Sequence, residues 1–190
     1  MSMIFNHFSF LYDPFMKLFK LDDNTKIIEV INSFATPYKI LDVGGGSGLL
    51  ASQLIEFNHN VTIIDSSQRM LDLALKRNDK IRTINAKIEI LDNKEKYDLI
   101  ILKDCLHHLK DQEASLKILV FLLNENGKLI IQDFNPDNVQ TKLIFLFERM
   151  CFEKIKPISI STINELVKSD LKGENIIINK RDYLFVGEKL

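Results

Sequence analysis

"LDVGGGSGLL", residues 41–50, places four of the chain's seven glycines within five positions. Clustered glycine is entropically costly and packs nothing, so this stretch needs bare backbone. The apolar run from Lys39 to Val43 leads into it, and Leu50, Leu54 and Phe57 then recur at helical spacing over Ser47 to Phe57. Ser47 is the expected N-cap. A strand, a glycine turn and a helix N-terminus form a site for an anionic or strongly polar group, because free amides and the positive helix end converge there. A phosphate, a nucleoside cofactor and a plain tight turn are the candidates.

Spacing argues against two cofactor classes. A nucleoside triphosphate loop ends in Gly-Lys-Ser/Thr, whereas Gly48 is followed by Leu49. A dinucleotide loop has glycine at its first, third and sixth places; Gly44 and Gly46 match, but Leu49 holds the sixth.

Downstream, Val61 to Ile64 reads as a strand closing on Asp65. Ser66 or Ser67 then caps a helix carrying Met70, Leu71, Ala74 and Leu75 on one face. Ile81 to Ile84 is a third strand, and DLIIL (98–102) is a fourth, apolar at consecutive positions like a strand buried on both faces. Leu116, Leu119, Val120 and Leu123 mark a helix ending before Gly127, and Lys128 to Gln132 is the fifth strand. This alternation predicts a parallel sheet covered on both sides. NIIIN (175–179) and DYLFV (182–186) are separated by two residues, a link that joins only antiparallel strands. The expected fold is α/β: a Rossmann-like, doubly wound, seven-stranded sheet, mostly parallel, with a C-terminal antiparallel hairpin.

Length and composition bound the function. The 190 residues, 46% hydrophobic, fit one domain. Residues 1–37 read as an N-terminal helical or lid segment. Residues 38–190 form the core, with a lid-like insertion at about 138–158. With 25 basic against 26 acidic residues, the chain advertises neither a nucleic-acid nor an anionic-membrane footprint. Cys105 and Cys151 are too few for a disulfide framework or a metal cluster. The N-terminus lacks a signal-peptide pattern, and no apolar run approaches a membrane span. A reduced, cytoplasmic monomer or homodimer is expected, without a metal.

Asp42-Val-Gly44-Gly45-Gly46-Ser47-Gly48 resembles the first motif of the class I S-adenosylmethionine-dependent methyltransferases. The resemblance runs in element order from Lys39 to Leu190. It is strongest to the small-molecule branch that includes ubiquinone and menaquinone methyltransferases. Three further features carry it. Asp65 closes the second strand, where a carboxylate can accept both ribose hydroxyls, or simply cap the next helix. YDLIILKDCLHHL (97–109) resembles the fourth-strand signature, whose following residues lie beside the methyl-bearing sulfur. Asn85-Ala86 stands where the family has an acid and a small residue against adenine; the Asn85 side-chain oxygen can still accept from an exocyclic amine.

The resemblance implies S-adenosylmethionine as cofactor and a site for it. Gly44 and Gly46, with Gly48 completing the pattern, let backbone approach the methionine portion, and Asp42 supports the loop. Asp65 holds the ribose, Ser66 and Met70 flank the adenine, and Asn85 and Ala86 read it. Lys103 faces the methionine portion or the reaction centre through main chain or side chain. Gly45 has no role in the motif. Methyl transfer by in-line displacement needs alignment more than acid or base. Asp104, His107 and His108 are the acid–base candidates, with structural or shielding roles ranked first for the histidines. Cys105 follows Asp104 rather than the proline of a covalent cysteine mechanism, and reads as a buried thiol. LKDC also replaces the Asn/Asp-Pro-Pro-aromatic signature of enzymes acting on planar amino groups.

Two segments outside the common core bear on the acceptor. Phe5, Phe8, Phe10, Tyr12, Phe15 and Phe19 lie near the N-terminus, and VQTKLIFLFERMCF (139–152) follows the fifth strand. They form an apolar lid over a small hydrophobic or aromatic acceptor, or they complete the core or a dimer interface. Rival functions are cofactor binding without transfer, methylation of RNA or protein, and nicotinamide-dependent oxidoreduction.

Overall fold

The computed structural model describes residues 21–34, 38–91, 94–151 and 155–190. Seven strands form one sheet: β1 (Lys39–Val43), β2 (Asn60–Asp65), β3 (Arg82–Asn85), β4 (Tyr97–Lys103), β5 (Leu123–Phe134), β6 (Leu171–Ile177) and β7 (Asp182–Lys189). Their order is β3-β2-β1-β4-β5-β7-β6. The first five are mutually parallel; β7 runs antiparallel to β5, and β6 antiparallel to β7. The reversed hairpin is therefore present, with β6 starting earlier, at Leu171, than the NIIIN run suggests.

Alternation along the strands sorts their side chains onto two faces. Ile40, Leu99, Ile101, Ile130 and Leu184 pack with α1 (Thr25–Asn32), α2 (Leu49–Glu56) and α3 (Gln68–Arg77). Leu41, Ile100, Leu102, Leu129, Ile131 and Phe185 pack with α4 (Gln112–Leu122) and α6 (Ile160–Val167). Crossovers after β1 and β2 thus cover one face and the crossover after β4 the other. The direction of winding reverses between β1 and β4, and the C-terminal ends of those strands diverge there into a crevice. In open α/β sheets that crevice is where ligands bind.

Three local details differ from the sequence reading. Leu123 leaves the helix and opens β5, which pairs with Tyr97 before the register shifts at Leu99. The shift absorbs residues 124–127: Asn124 donates to the Asp98 carboxylate, Asn126 has φ 60°, and a Cβ on Gly127 would lie 2.8 Å from the Asn124 carbonyl oxygen. Gly127 therefore serves a bulge inside a strand rather than a helix end. Gly48, with φ 75°, occupies the N-cap of α2 in place of Ser47. Leu75 is 39% exposed, at the edge of the α3 face that buries Leu71 and Ala74. Ser67 caps α3, accepting from the Met70 amide. Among the described residues no helix is long and apolar enough to cross a membrane.

Candidate active site

The glycine turn leaves β1 through three left-handed residues, Gly44, Gly46 and Gly48, with φ of 71°, 53° and 75°. The Gly44 amide donates to the Ile64 carbonyl at 2.7 Å, holding the turn against the end of β2. Gly44 and Gly48 are bare for steric reasons as well. A Cβ on Gly44 would lie 2.4 Å from the Cys105 sulfur, and one on Gly48 would lie 2.8 Å from the Ala74 Cβ, closing the contact between α2 and α3. Gly45 is explained too: its Cβ would strike Asp42 Oδ2 at 2.5 Å.

Two buried carboxylates underlie the turn. Asp65 Oδ2 accepts from the Gly46 amide at 3.2 Å and Oδ1 from the Ser67 amide at 2.8 Å, so one side chain ties the glycine turn to the start of α3. Burial raises the Asp65 pKa, opposed by the two amides. Asp42 is fully buried with Oδ2 unpartnered. Burial lifts it to about 7; Lys103 opposes the rise and Asp65 adds to it. An unpaired buried carboxylate oxygen is costly and is kept where it serves a ligand or a mechanism.

Above these groups opens a cavity of about 410 Å3, walled by Gly44, Asp65, Ser66, Ala86, Ile88 and, from beyond β4, Cys105 and His108. The volume falls in the range of small-molecule and cofactor sites. Of the residues expected to touch a cofactor, Gly44, Asp65, Ser66 and Ala86 lie on its wall. Gly46 and Gly48 stand behind it, shaping the turn. Met70 is fully buried off the wall. Asn85 is exposed and its amide donates to the Asp65 carbonyl at 3.2 Å, so its side chain clamps β3 to β2 and Ala86 to Ile88 face the cavity instead.

At the end of β4 the chain turns sharply. Asp104 is a non-glycine residue at φ 51°, a conformation found where surroundings over-determine the backbone, often at functional sites. Lys103 sends its ammonium to the Leu21 carbonyl and to Asp104 Oδ2 at 2.9 Å, so its side chain braces the turn. Burial raises the Asp104 pKa, Lys103 opposing and Asp133 adding to it. Burial also pushes the Cys105 thiol well up, in keeping with an inert thiol.

The next turn holds His107 between two acids that the sequence reading did not single out. His107 Nδ1 is 2.7 Å from Asp133 Oδ1 at the end of β5, and Asp133 Oδ2 accepts the His107 amide. Nε2 faces Glu148 Oε2 at 3.5 Å, from α5 (Val139–Cys151). Burial lowers the His107 pKa, but the two carboxylates outweigh it and lift the group to about 10. Burial, joined by cationic His107, pushes His108 well below the ordinary histidine value. The two rings lie 4.1 Å apart, centre to centre. Ligand atoms of His107, His108 and Glu148 all lie within 4.8 Å of one another, a donor set that a divalent cation could also span.

A stability prediction follows from the sign of this shift. The folded pKa of His107 exceeds its unfolded value near 6.5, so its ion pair contributes fully below that pH and is lost as pH rises through about 10. Asp133→Asn is expected to cost about 3–5 kcal/mol near neutral pH, as removal of one partner from a buried pair does. Urea unfolding at pH 6.5, 8.5 and 10 checks it. The wild type should weaken across that window and the variant much less; parallel curves would refute the assignment.

A model of the methyltransferase domain matches residues 10–169. This chain belongs to the methyltransferase-domain family. The methyltransferase domain is 33% identical over 136 residues to a ubiquinone biosynthesis O-methyltransferase of Rickettsia bellii, covering 68% of this chain and 55% of that protein. It is 25% identical over 173 residues to the mitochondrial ubiquinone biosynthesis O-methyltransferase of Schizosaccharomyces pombe, covering 84% and 62%. It thus spans little more than half the length of these relatives. Among solved structures, the domain superposes with TM-score 0.78 and 15% identity on a Thermotoga maritima protein described as a possible histamine N-methyltransferase, covering all of both chains. It also superposes with TM-score 0.72 and 18% identity on the N-methyltransferase NodS of Bradyrhizobium japonicum in complex with S-adenosylhomocysteine, covering 90% and 87%. These likenesses confirm the fold.

Proposed function

We propose that the chain transfers a methyl group from S-adenosylmethionine to an oxygen of a small-molecule acceptor. The observation that carries this is the convergence of left-handed Gly44 and buried Asp65 on one cavity at the reversal point of the sheet. The cradle fits the cofactor. Gly44 lines it with bare backbone, and the Asp65 carboxylate at the β2 tip retains lone pairs for two ribose hydroxyls after accepting its two amides. The curated relatives, named as O-methyltransferases, support oxygen as the accepting atom.

In this reading Gly44 admits the methionine portion, with Gly46 and Gly48 holding the turn and Asp42 offering its unpartnered oxygen beneath it. Asp65 and Ser66 hold the ribose side, and Ala86 lines the adenine side. Met70 and Asn85 fix the walls that do so, and Lys103 braces the turn carrying Asp104. The cofactor supplies a methyl on a sulfonium centre whose leaving group is a neutral thioether, so no protein acid has to assist departure. What remains for the chain is to align acceptor and methyl and to exclude water, alignment being worth about 7–11 kcal/mol at its best. Neutral His108 on the cavity wall shields that centre.

Thermal unfolding with added product nucleoside tests the reading. S-adenosylhomocysteine at about 100 times its Kd should add about 2.7 kcal/mol, raising Tm by about 5–10 °C for a chain of this length. NAD at the same concentration should leave Tm unchanged. Protection by NAD alone would replace this function with the nicotinamide-dependent one.

A further inference from the structure

A second cavity, of about 450 Å3, opens at the C-terminal ends of β4 and β5 and beside the β6–β7 turn. Asp104 lines it, while the adjacent Cys105 lines the first cavity, so the two flank a single strained turn. Gln132 reaches into it from β5. That residue is 8% exposed, and its side-chain amide hydrogen-bonds to no other described residue. A nearly buried amide on a cavity wall offers a ligand there one donor group and one acceptor.

The walls decide the ligand's chemistry. Leu21 and Phe134 give the apolar surface, and Asp23, Asp104, Arg181 and Asp182 add polar groups around it. Their charges largely cancel locally. Arg181 grips Asp182 through two hydrogen bonds of 2.8 Å, and Lys103 holds Asp104 at 2.9 Å. Asp23 and Lys180 add one charge of each sign. A net-neutral wall rich in fixed polar groups disfavours an ion and also a long hydrocarbon, which would desolvate those groups without pairing them.

Resting on the methyl-transfer reading above, we infer that this second cavity is the acceptor site and takes a compact, neutral, hydroxyl-bearing molecule held by Gln132, not a prenylated one. An apolar acceptor is expected from the aromatic residues between 5 and 19, which lie outside the described residues, and from the segment 139–152, whose Ile144 and Phe145 pack with Leu21 and Phe134. The described wall joins the apolar surface of Leu21 and Phe134 to charged and amide groups.

The test uses the full chain saturated with S-adenosylhomocysteine, titrated calorimetrically with catechol and, separately, with catechol carrying a farnesyl tail. Catechol should bind, and more tightly than the tailed compound. Gln132→Leu and the shortened Gln132→Asn should each weaken catechol at least tenfold while S-adenosylhomocysteine affinity stays within twofold, which also verifies that both variants fold. Absence of catechol binding, a tenfold preference for the farnesylated compound, or unchanged catechol affinity in Gln132→Leu would each overturn the inference. Failure of S-adenosylhomocysteine itself to bind would instead sink the methyl-transfer reading on which it rests.

Discussion

Asp65→Ala is expected to weaken S-adenosylhomocysteine binding by at least 100-fold. The carboxylate lines the first cavity and also ties the glycine turn to α3, through the Gly46 and Ser67 amides. Each hydrogen bond to a charged acceptor is worth about 1.5–3 kcal/mol, and two lost ribose contacts alone account for a factor of 100 or more. Two buried amides are also left without their acceptor, at about 1–3 kcal/mol each, so the turn itself should loosen. Asp65→Asn keeps the volume but sets an amide donor against one of those N–H groups, and should bind nearly as poorly. Calorimetry on both variants checks this. Affinity within threefold of wild type in either would show that Asp65 only caps the next helix.

Gly44→Ala should be almost as severe for a different reason. At φ 71° any side chain meets a left-handed penalty of about 1–2 kcal/mol, and this Cβ also lies 2.4 Å from the Cys105 sulfur. Relief requires the turn or the β4 end to move, and both are walls of the cavity. Binding should fall about 100-fold. In a Cys105→Ala background the sulfur is gone, although the Cβ at 3.1 Å remains, and at least a tenfold recovery is expected. Equal losses in the two backgrounds would mean that steric approach to Cys105 is not what keeps residue 44 bare.

Most of the fold was legible because its signals are local. Consecutive apolar residues at 98–102 announce a strand buried on both faces, and a two-residue link before Asp182 forces antiparallel pairing. Leu123 to Gly127 misled because its pattern continues the helical period of α4; what settles it is the distant Asp98, which anchors Asn124 and turns the segment into a bulged strand. Asp42, Gly44 and Asp65 were legible since one strand–turn–helix unit and the next strand tip place them together. Asn85 stands at its motif position with its side-chain amide donating to the Asp65 carbonyl, and its neighbour Ala86 lines the cavity. Asp133, Glu148 and Gln132 were missed. Nothing in their own neighbourhoods marks them, and only the return of β5 and the packing of α5 bring them to the end of β4. Gly45, unexplained by its motif, takes its reason from the Asp42 side chain beneath it.

The most direct test of the central claim is a calorimetric titration of the wild-type chain with S-adenosylmethionine, S-adenosylhomocysteine and NAD in parallel. One molecule of each methionine-derived nucleoside should bind per chain, both should compete for one site, and NAD should give no heat. Binding of NAD with no binding of the other two would contradict the account.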